Sequence, residues 1–505
     1  MMSMKQNRQW RFGSWVGSML SVCCAFAFIL LGLTTATAEA ASASTTTANM
    51  MSGTEGVLLA VLGQEPQRRG RRGSDDDADE ASEDGTEKSG ADEDEAVEEE
   101  EEEDPDTYLA LTNATVYAMT GAVHRNVTVL CKNGKIHEIG TGVQVPDTAE
   151  ILDVDGYRVY PGLIAVRSSG ILGGGDPSDS SDVYSMNLTL ALAAGITTAN
   201  TGNLAAKLTY GTLEDMVQKR NLFESLRYSS RNPQGKKSVR DGLRKVRDHL
   251  RDVASYEEEK RDNPDAEKPD EKWITGEYAK YMRLIKGEAA AEVDANTVHE
   301  LIDLCDLSEE FGIELVIRGA YEGWAVAPRL ARANVSAIVT PRDTVNANPR
   351  SNRPSGSTIE NAAILYEHGI RLTFMPVGSW FGSGTGISMG GLAGRDLQHL
   401  PMEAAFGVRG GLSGEAAMRG LTIDAARIMG IDDRVGTIEV GKDADFFVCD
   451  GDPLHYMTQS RWTIVNGRIA YDKDKESLFE HIRKGGDVDA PPPTDHWPRR
   501  LGQPW

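Results

Sequence analysis

One pattern recurs along the middle of the chain and restricts its fold more than any other feature. A helical segment ends, in three cases out of four at a glycine, and a short strand of apolar, β-branched residues follows. The predicted helix and strand pairs are 185–194 with 196–200, 297–311 with 313–317, 324–333 with 335–339, and 359–368 with 370–374. Glycine accepts the left-handed backbone conformation in which many helices end, and strands that are apolar on both faces are typical of buried parallel sheets. We therefore predict an α/β fold with a (β/α)8 TIM-like barrel over residues 161–430.

Short strand segments flank this region on both sides. The dipeptide Asn133-Gly134 joins the segments 127–130 and 135–140, and Asn466-Gly467 joins two further apolar segments near the end of the folded part. Asn-Gly between two strands is a strong signal for a two-residue hairpin turn. The pattern predicts a small β-sandwich domain built from both chain ends, residues 107–160 and 431–475.

The segment 214–286 is heavily charged and has helical propensity, which predicts a helical excursion on the outer surface of the barrel. Its lysines and arginines alternate with acidic residues throughout. That mixture favours a solvated helix surface over a nucleic-acid-binding face. We therefore expect no nucleic-acid partner.

The first forty residues have the layout of a secretory signal peptide. Lys5, Arg8 and Arg11 precede an apolar run from about residue 15 to 33, and small residues follow it. This predicts a secreted or periplasmic protein with a signal peptide over 1–40. An uncleaved N-terminal membrane anchor is the alternative, because the run is near the minimum length for spanning a bilayer.

Residues 41–106 form a predicted disordered acidic linker. Twenty Asp and Glu residues lie between Asp75 and Asp106 against the single Lys88, so this segment carries most of the chain's net charge of −24. A run of like charges repels itself and cannot bury apolar area. The folded part is therefore only mildly acidic, and the overall charge says little about a substrate. Residues 476–505 are predicted to be a C-terminal tail.

Two stretches carry a resemblance to a known family. Residues 161–164 read Pro-Gly-Leu-Ile, and residues 411–445 contain Leu-Thr-Ile-Asp-Ala-Ala-Arg-Ile-Met-Gly-Ile followed by Gly-Lys-Asp-Ala-Asp. In this order, over residues 108–471, they resemble the amidohydrolase superfamily of metal-dependent hydrolases, close to its imidazolonepropionase-like branch. The resemblance implies zinc or another divalent metal at the carboxyl ends of the barrel strands, and hydrolysis of C–N bonds other than peptide bonds.

The positions that the resemblance assigns to metal binding hold other residues. Arg167 and Ser169 stand where the first strand of the family has its His-x-His motif. Asp294 and Arg318 stand at the next two histidine positions, and Val377 lies near the position of the catalytic aspartate. Arginine is a fixed cation without a lone pair, so it repels a metal ion instead of ligating it.

The histidines give an independent indication. The nearest two of the nine, His124 and His137, are too far apart in sequence for a His-x-His or His-x-x-x-His motif. A hydrolytic metal site needs several imidazoles or carboxylates around one ion, with an open position for water. We therefore predict no resident metal or other cofactor, although the family would use one.

Two interpretations of Arg167, Ser169, Asp294 and Arg318 remain open. They are a structural ion-pair network in place of a metal site, with Asp294 as the internal partner of the arginines, or a pocket for a small anion, because guanidinium forks suit carboxylates and phosphates.

The sequence leaves three functional hypotheses, and whether the protein is an enzyme stays open among them. The first is a catalytically degenerate member of the superfamily that binds a small anionic molecule or an intact amidohydrolase paralogue. The second is an active hydrolase of C–N bonds in cyclic amides. The third is a structural envelope protein.

Overall fold

The computed structural model describes residues 106–168, 171–172, 182–376 and 394–475. The predicted signal peptide, the predicted linker up to residue 105 and the predicted tail lie outside these ranges. The strands are β1 (Tyr108–Tyr117), β2 (Val123–Lys132), β3 (Lys135–Gly140), β4 (Glu150–Asp153), β5 (Arg158–Pro161), β6 (Leu163–Ala165), β7 (Ile196–Thr201), β8 (Leu204–Lys207), β9 (Val217–Arg220), β10 (Phe223–Ser225), β11 (Ala290–Ala295), β12 (Leu315–Gly319), β13 (Val335–Val339), β14 (Arg371–Phe374), β15 (Phe446–Cys449), β16 (Ser460–Val465) and β17 (Arg468–Asp472).

The α-helices lie mainly between and after the central strands. They are α1 (Met186–Ala193), α2 (Pro233–Asp262), α3 (Glu277–Lys286), α4 (Val298–Phe311), α5 (Ala327–Arg332), α6 (Asn361–Glu367), α7 (Gly394–Leu397), α8 (Leu400–Arg409), α9 (Gly414–Leu421) and α10 (Ile423–Met429). In the described part of the chain, no helix is both long enough and apolar enough to cross a bilayer.

The predicted alternation of helices and parallel strands is present. Strands β10 to β14 form a five-stranded parallel sheet in sequence order, and β6 pairs in parallel with β7. Strands β8 and β9 extend the second ladder in antiparallel fashion. Helices α9 and α10 contact the terminal strands of both ladders, β6 and β14.

The helices end at the predicted glycines. Gly195, Gly312 and Gly369 have φ values of 83°, 71° and 84°, in the left-handed region that disfavours other residues. At the start of α4, the Thr297 side chain accepts a hydrogen bond from the Glu300 N–H, and the Glu300 carboxylate accepts one from the Thr297 N–H. This capping box satisfies backbone donors that the helix leaves free.

Segments from both sides of the central region build one sheet, the composite sheet, and the predicted β-sandwich stays a prediction. Its strand order is β17-β16-β15-β5-β1-β2-β3, with β4 beside β1, so β15 from the C-terminal side pairs with β5 from the N-terminal side. All four residues of the two Asn-Gly turns have positive φ, as a type I′ turn requires. Hydrogen bonds join all eight of these strands into one sheet, which has a core of its own.

The prediction of a helical excursion over 214–286 is wrong for its first part. Residues 217–220 and 223–225 form β9 and β10, and β10 is the edge strand of the five-stranded parallel sheet. The buried apolar residues in and beside this strand are Leu222, Phe223 and Leu226. They do not alternate as the residues of a half-buried strand would, so helical propensity dominated the local pattern. The helices α2 and α3 occupy the remainder.

Candidate functional site

The predicted site residues follow or end central strands. Arg167 lies two residues after β6, Asp294 lies in β11, and Arg318 lies in β12. Strands β11 and β12 pair in a register that sets Asp294 directly opposite Arg318. Ser169 and Val377 lie outside the described residues. The structure therefore places three of the four predicted residues at the carboxyl ends of the strands.

Asp294 and Arg318 form a two-pronged ion pair. The Nε and Nη2 atoms of Arg318 donate to Oδ1 and Oδ2 of Asp294. The hydrogen bond to Asp294 raises the pKa of Arg318 above its already high ordinary value, against the opposing effect of burial. The guanidinium thus stays charged, and two of its nitrogens are engaged by a carboxylate of the protein itself.

Arg167 has a different partner, which the sequence did not indicate. Its Nη1 lies 3.1 Å from Oε2 of Glu292, whose side chain is only 11% exposed. Glu292 is two residues before Asp294 on β11, so both carboxylates face the same side of the strand. The spacing of two acidic residues in an otherwise apolar strand was the available signal. The Oε1 atom of Glu292 is buried and accepts no hydrogen bond from the described residues.

A third pair, also missed from sequence, lies beyond the end of β13. The Nη2 atom of Arg342 lies 2.7 Å from Oε1 of Glu403, and the Arg342 backbone N–H donates to Oε2. Glu403 belongs to α8 and its side chain is fully buried. A contact between residues so distant in sequence leaves no local pattern, so sequence periodicity could not predict it.

The charges at these strand ends are internally balanced. Each of the three arginines has a carboxylate partner, which is the condition for removing ionised groups from water. Arg167 keeps the most capacity for another partner, because its side chain is 35% exposed and only one of its N–H groups donates to a described residue. A guanidinium carries five such donors.

A divalent metal does not fit this donor set. Among the described residues, no group of three or more His, Cys, Asp or Glu side chains is placed to hold a metal ion. The carboxylates at the strand ends already bind guanidinium groups, which are fixed cations. Among the described residues, the charged groups at these strand ends form ion pairs.

Comparison with known proteins identifies the superfamily. The profile of the Amidohydrolase family matches residues 299–486. The amidohydrolase tasK of Hapsidospora irregularis is 35% identical over 103 residues, which are 20% of this chain and 10% of that relative. These matches support assignment of the chain to the amidohydrolase superfamily. The match covers only about a tenth of that relative's length, so the relative's activity cannot be assigned to this chain on this basis.

One solved amidohydrolase structure resembles this chain in fold, and others match it less well. An amidohydrolase from Thermotoga maritima MSB8 is 21% identical, with a TM-score of 0.54, over 72% of this chain and 100% of its own. A dihydropyrimidinase from Brevibacillus agri NCHU1002 is 15% identical, with a TM-score of 0.43, over 72% and 95% of the two chains. The likeness to the Thermotoga structure is one of fold, and it implies a TIM-barrel domain for the central helices and strands.

Proposed function

We propose that this amidohydrolase-superfamily chain is not a hydrolase and that its barrel mouth binds a small carboxylate through Arg167. The proposal takes β6, β7 and β10–β14 as parts of one closed (β/α)8 barrel, with their carboxyl ends around the mouth. The observation that supports it is a pair of ion pairs at the strand ends. Arg167 and Arg318, which the family resemblance aligns with metal-ligand positions, are each bound to a carboxylate of β11.

The ligand class follows from the different numbers of hydrogen bonds that the Arg167 and Arg318 guanidinium groups donate within the protein. Arg318 directs both prongs of its fork to Asp294, whereas Arg167 donates to Glu292 from Nη1 only. The remaining N–H groups of Arg167 form a planar donor set that matches the two oxygens of a carboxylate. Glu292 and Asp294 balance the charges of the two arginines. We therefore expect the site to prefer a small anion with one or two charges over a neutral molecule, and to bind it with modest affinity.

Calorimetric titration of the purified full chain with succinate, acetate and neutral acetamide tests the ligand. We expect a carboxylate to bind and Arg167→Gln to weaken that binding roughly tenfold or more, the usual effect of losing a charged hydrogen bond. Arg332→Gln is the matched control, because Arg332 is an exposed arginine on α5. Binding that is absent, or unchanged in Arg167→Gln, overturns the ligand assignment and favours a structural role.

Metal analysis of the same preparation tests the absence of hydrolysis. We expect no stoichiometric zinc, iron or manganese, and no ring opening of dihydrouracil or hydantoin. Stoichiometric metal, lost together with ring opening on chelation, overturns the proposal in favour of an active hydrolase of cyclic amides.

A further inference from the structure

A cavity lies at the end of the central strands opposite to Arg167 and Arg318. It has a volume of about 590 Å³ and opens between the end of α1, helix α8 and strands β15–β17. Ala194, which lines it, comes two residues before β7 begins, so the cavity lies near the amino ends of the strands. Arg167 and Arg318 lie at the carboxyl ends. The volume is within the range of small-molecule sites, roughly 300–1,000 Å³.

Part of the wall of this cavity is apolar. Met402 and Phe406 from α8, Phe447 from β15 and Leu454 contribute to the lining. The Phe447 ring is held against the backbone at Gly195, where an added Cβ would lie 2.4 Å from the ring. A wall held by close packing is preformed, which lowers the entropic cost of binding an apolar group.

The polar groups that line the cavity are neutral or basic. Arg409 is the last residue of α8 and is exposed, and Lys473 lies just after β17. None of the nineteen described residues around the cavity is Asp or Glu. The Lys473 ammonium donates to Oε1 of Gln459, and an ammonium has three donors. Cations beside apolar walls complement an amphiphilic anion.

We propose that this cavity binds a medium-chain aliphatic carboxylate. The hydrocarbon tail packs against Met402, Phe406 and Leu454, and the carboxylate binds Arg409 and Lys473. This site is separate from Arg167 and does not depend on the function proposed for the barrel mouth.

Titration of the full chain with decanoate and with decanol tests the assignment. We expect decanoate to bind at least tenfold more tightly than decanol, and Arg409→Gln to remove most of that preference. Phe406→Ala should weaken both ligands, because it removes apolar contact. Arg332→Gln is the control for a lost surface charge. Arg167→Gln should leave decanoate binding unchanged, which separates this site from the barrel mouth.

Photocrosslinking with a diazirine-bearing decanoate locates the ligand. We expect labels on α8 and on residues 447–460. Labels elsewhere, equal binding of decanoate and decanol, or decanoate binding that is unaffected by Arg409→Gln overturn the proposal. Failure of decanoate to bind also overturns it, including the case in which residues 476–505 of the chain itself fill the cavity.

Discussion

At the scale of single residues, Lys207 is a fully buried cation that depends on two carboxylate partners. Its side chain is fully buried at the end of β8, with Nζ 2.7 Å from Oδ2 of Asp443 and 3.2 Å from Oδ1 of Asp445. It also donates to the side chain of Asn466. A charge so deeply buried persists only with this degree of pairing. The Gly-Lys-Asp-Ala-Asp segment that carried the family resemblance thus supplies both carboxylates for one buried lysine.

Lys207→Met should lower the free energy of unfolding by about 3–5 kcal/mol, because it leaves a buried carboxylate without its cation. Lys135→Met is the matched control. Lys135 binds the same Asp443 at 2.9 Å, but its side chain is 57% exposed, and exposed pairs contribute at most about 1 kcal/mol. Urea denaturation of both variants measures the difference. Equal losses of unfolding free energy in the two variants would show that the burial of Lys207 does not determine the contribution of its ion pairs.

The two aspartates that share Lys207 should give opposite pH dependences. Burial raises the pKa of Asp445 and dominates over the attraction of Lys207. Burial also acts on Asp443, but there Lys207, helped by Lys135 and Arg434, holds the pKa below its usual value. A carboxyl with a raised pKa binds more protons in the folded state, so its contribution to stability falls as pH rises above the ordinary pKa of about 4. A carboxyl with a lowered pKa contributes stability at pH values above the ordinary pKa, and this contribution is lost as pH falls through the lowered pKa.

Asp445→Asn should therefore gain stability relative to the parent chain as pH rises from 4 towards 7. The loss caused by Asp443→Asn should be full at neutral pH and should shrink as pH falls below about 4. Urea denaturation across this pH range measures both differences. The assignment fails if the two variants show the same pH trend relative to the parent.

At the scale of elements, two helix-ending glycines share a backbone conformation but differ in how tightly their surroundings pack. Gly312 and Gly195 both adopt positive φ, at 71° and 83°. A Cβ on Gly312 would meet no atom within 4 Å, whereas a Cβ on Gly195 would lie 2.4 Å from the Phe447 ring. The same local signal thus ends both helices, but only one glycine also forms a close contact with the composite sheet.

Gly312→Ala should cost about 1–2 kcal/mol, the penalty for a left-handed alanine. Gly195→Ala should cost a further 1–3 kcal/mol or so, because the added methyl group must displace a packed ring. Denaturant midpoints of the two variants provide the comparison. Equal costs would mean that the Phe447 ring relaxes freely and that packing at this helix end is loose.

At the scale of the whole molecule, the composite sheet ties together segments from both ends of the folded chain. Strand β15 lies between β5 and β16, and Val448 pairs with Val159. Strand β5 then leads through Gly162 directly into the central strand β6. The sheet has its own buried core, so the two sequence-distant segments should unfold together.

Hydrogen exchange measured by mass spectrometry should show this coupling. Amides of 159–165 and 446–449 should exchange only with global unfolding, at rates similar to those of the central strand β12. Strand β4 is the internal control, since it is largely exposed and lies off the main strand order, and it should exchange much faster. Early exchange of β15 would mean that the C-terminal strands detach on their own.

The sequence by itself determined the features that depend on near neighbours. The alternation of helices and strands, the glycine stops and the two Asn-Gly turns were predictable, because backbone sterics and side-chain periodicity act over a few residues. The alignment of Arg167 and Arg318 with metal-ligand positions came from the family resemblance and stays a prediction. Strand β10 was not predictable, because its buried apolar residues do not alternate along the sequence.

Only the tertiary structure decided which charges meet. Arg167 binds Glu292, 125 residues away, and Arg342 binds Glu403, 61 residues away. Lys207 lies far in sequence from the aspartates that neutralise it. The strength of an ion pair depends on distance and burial after packing, and neither quantity exists until parallel strands, helices and the composite sheet have assembled around the charges.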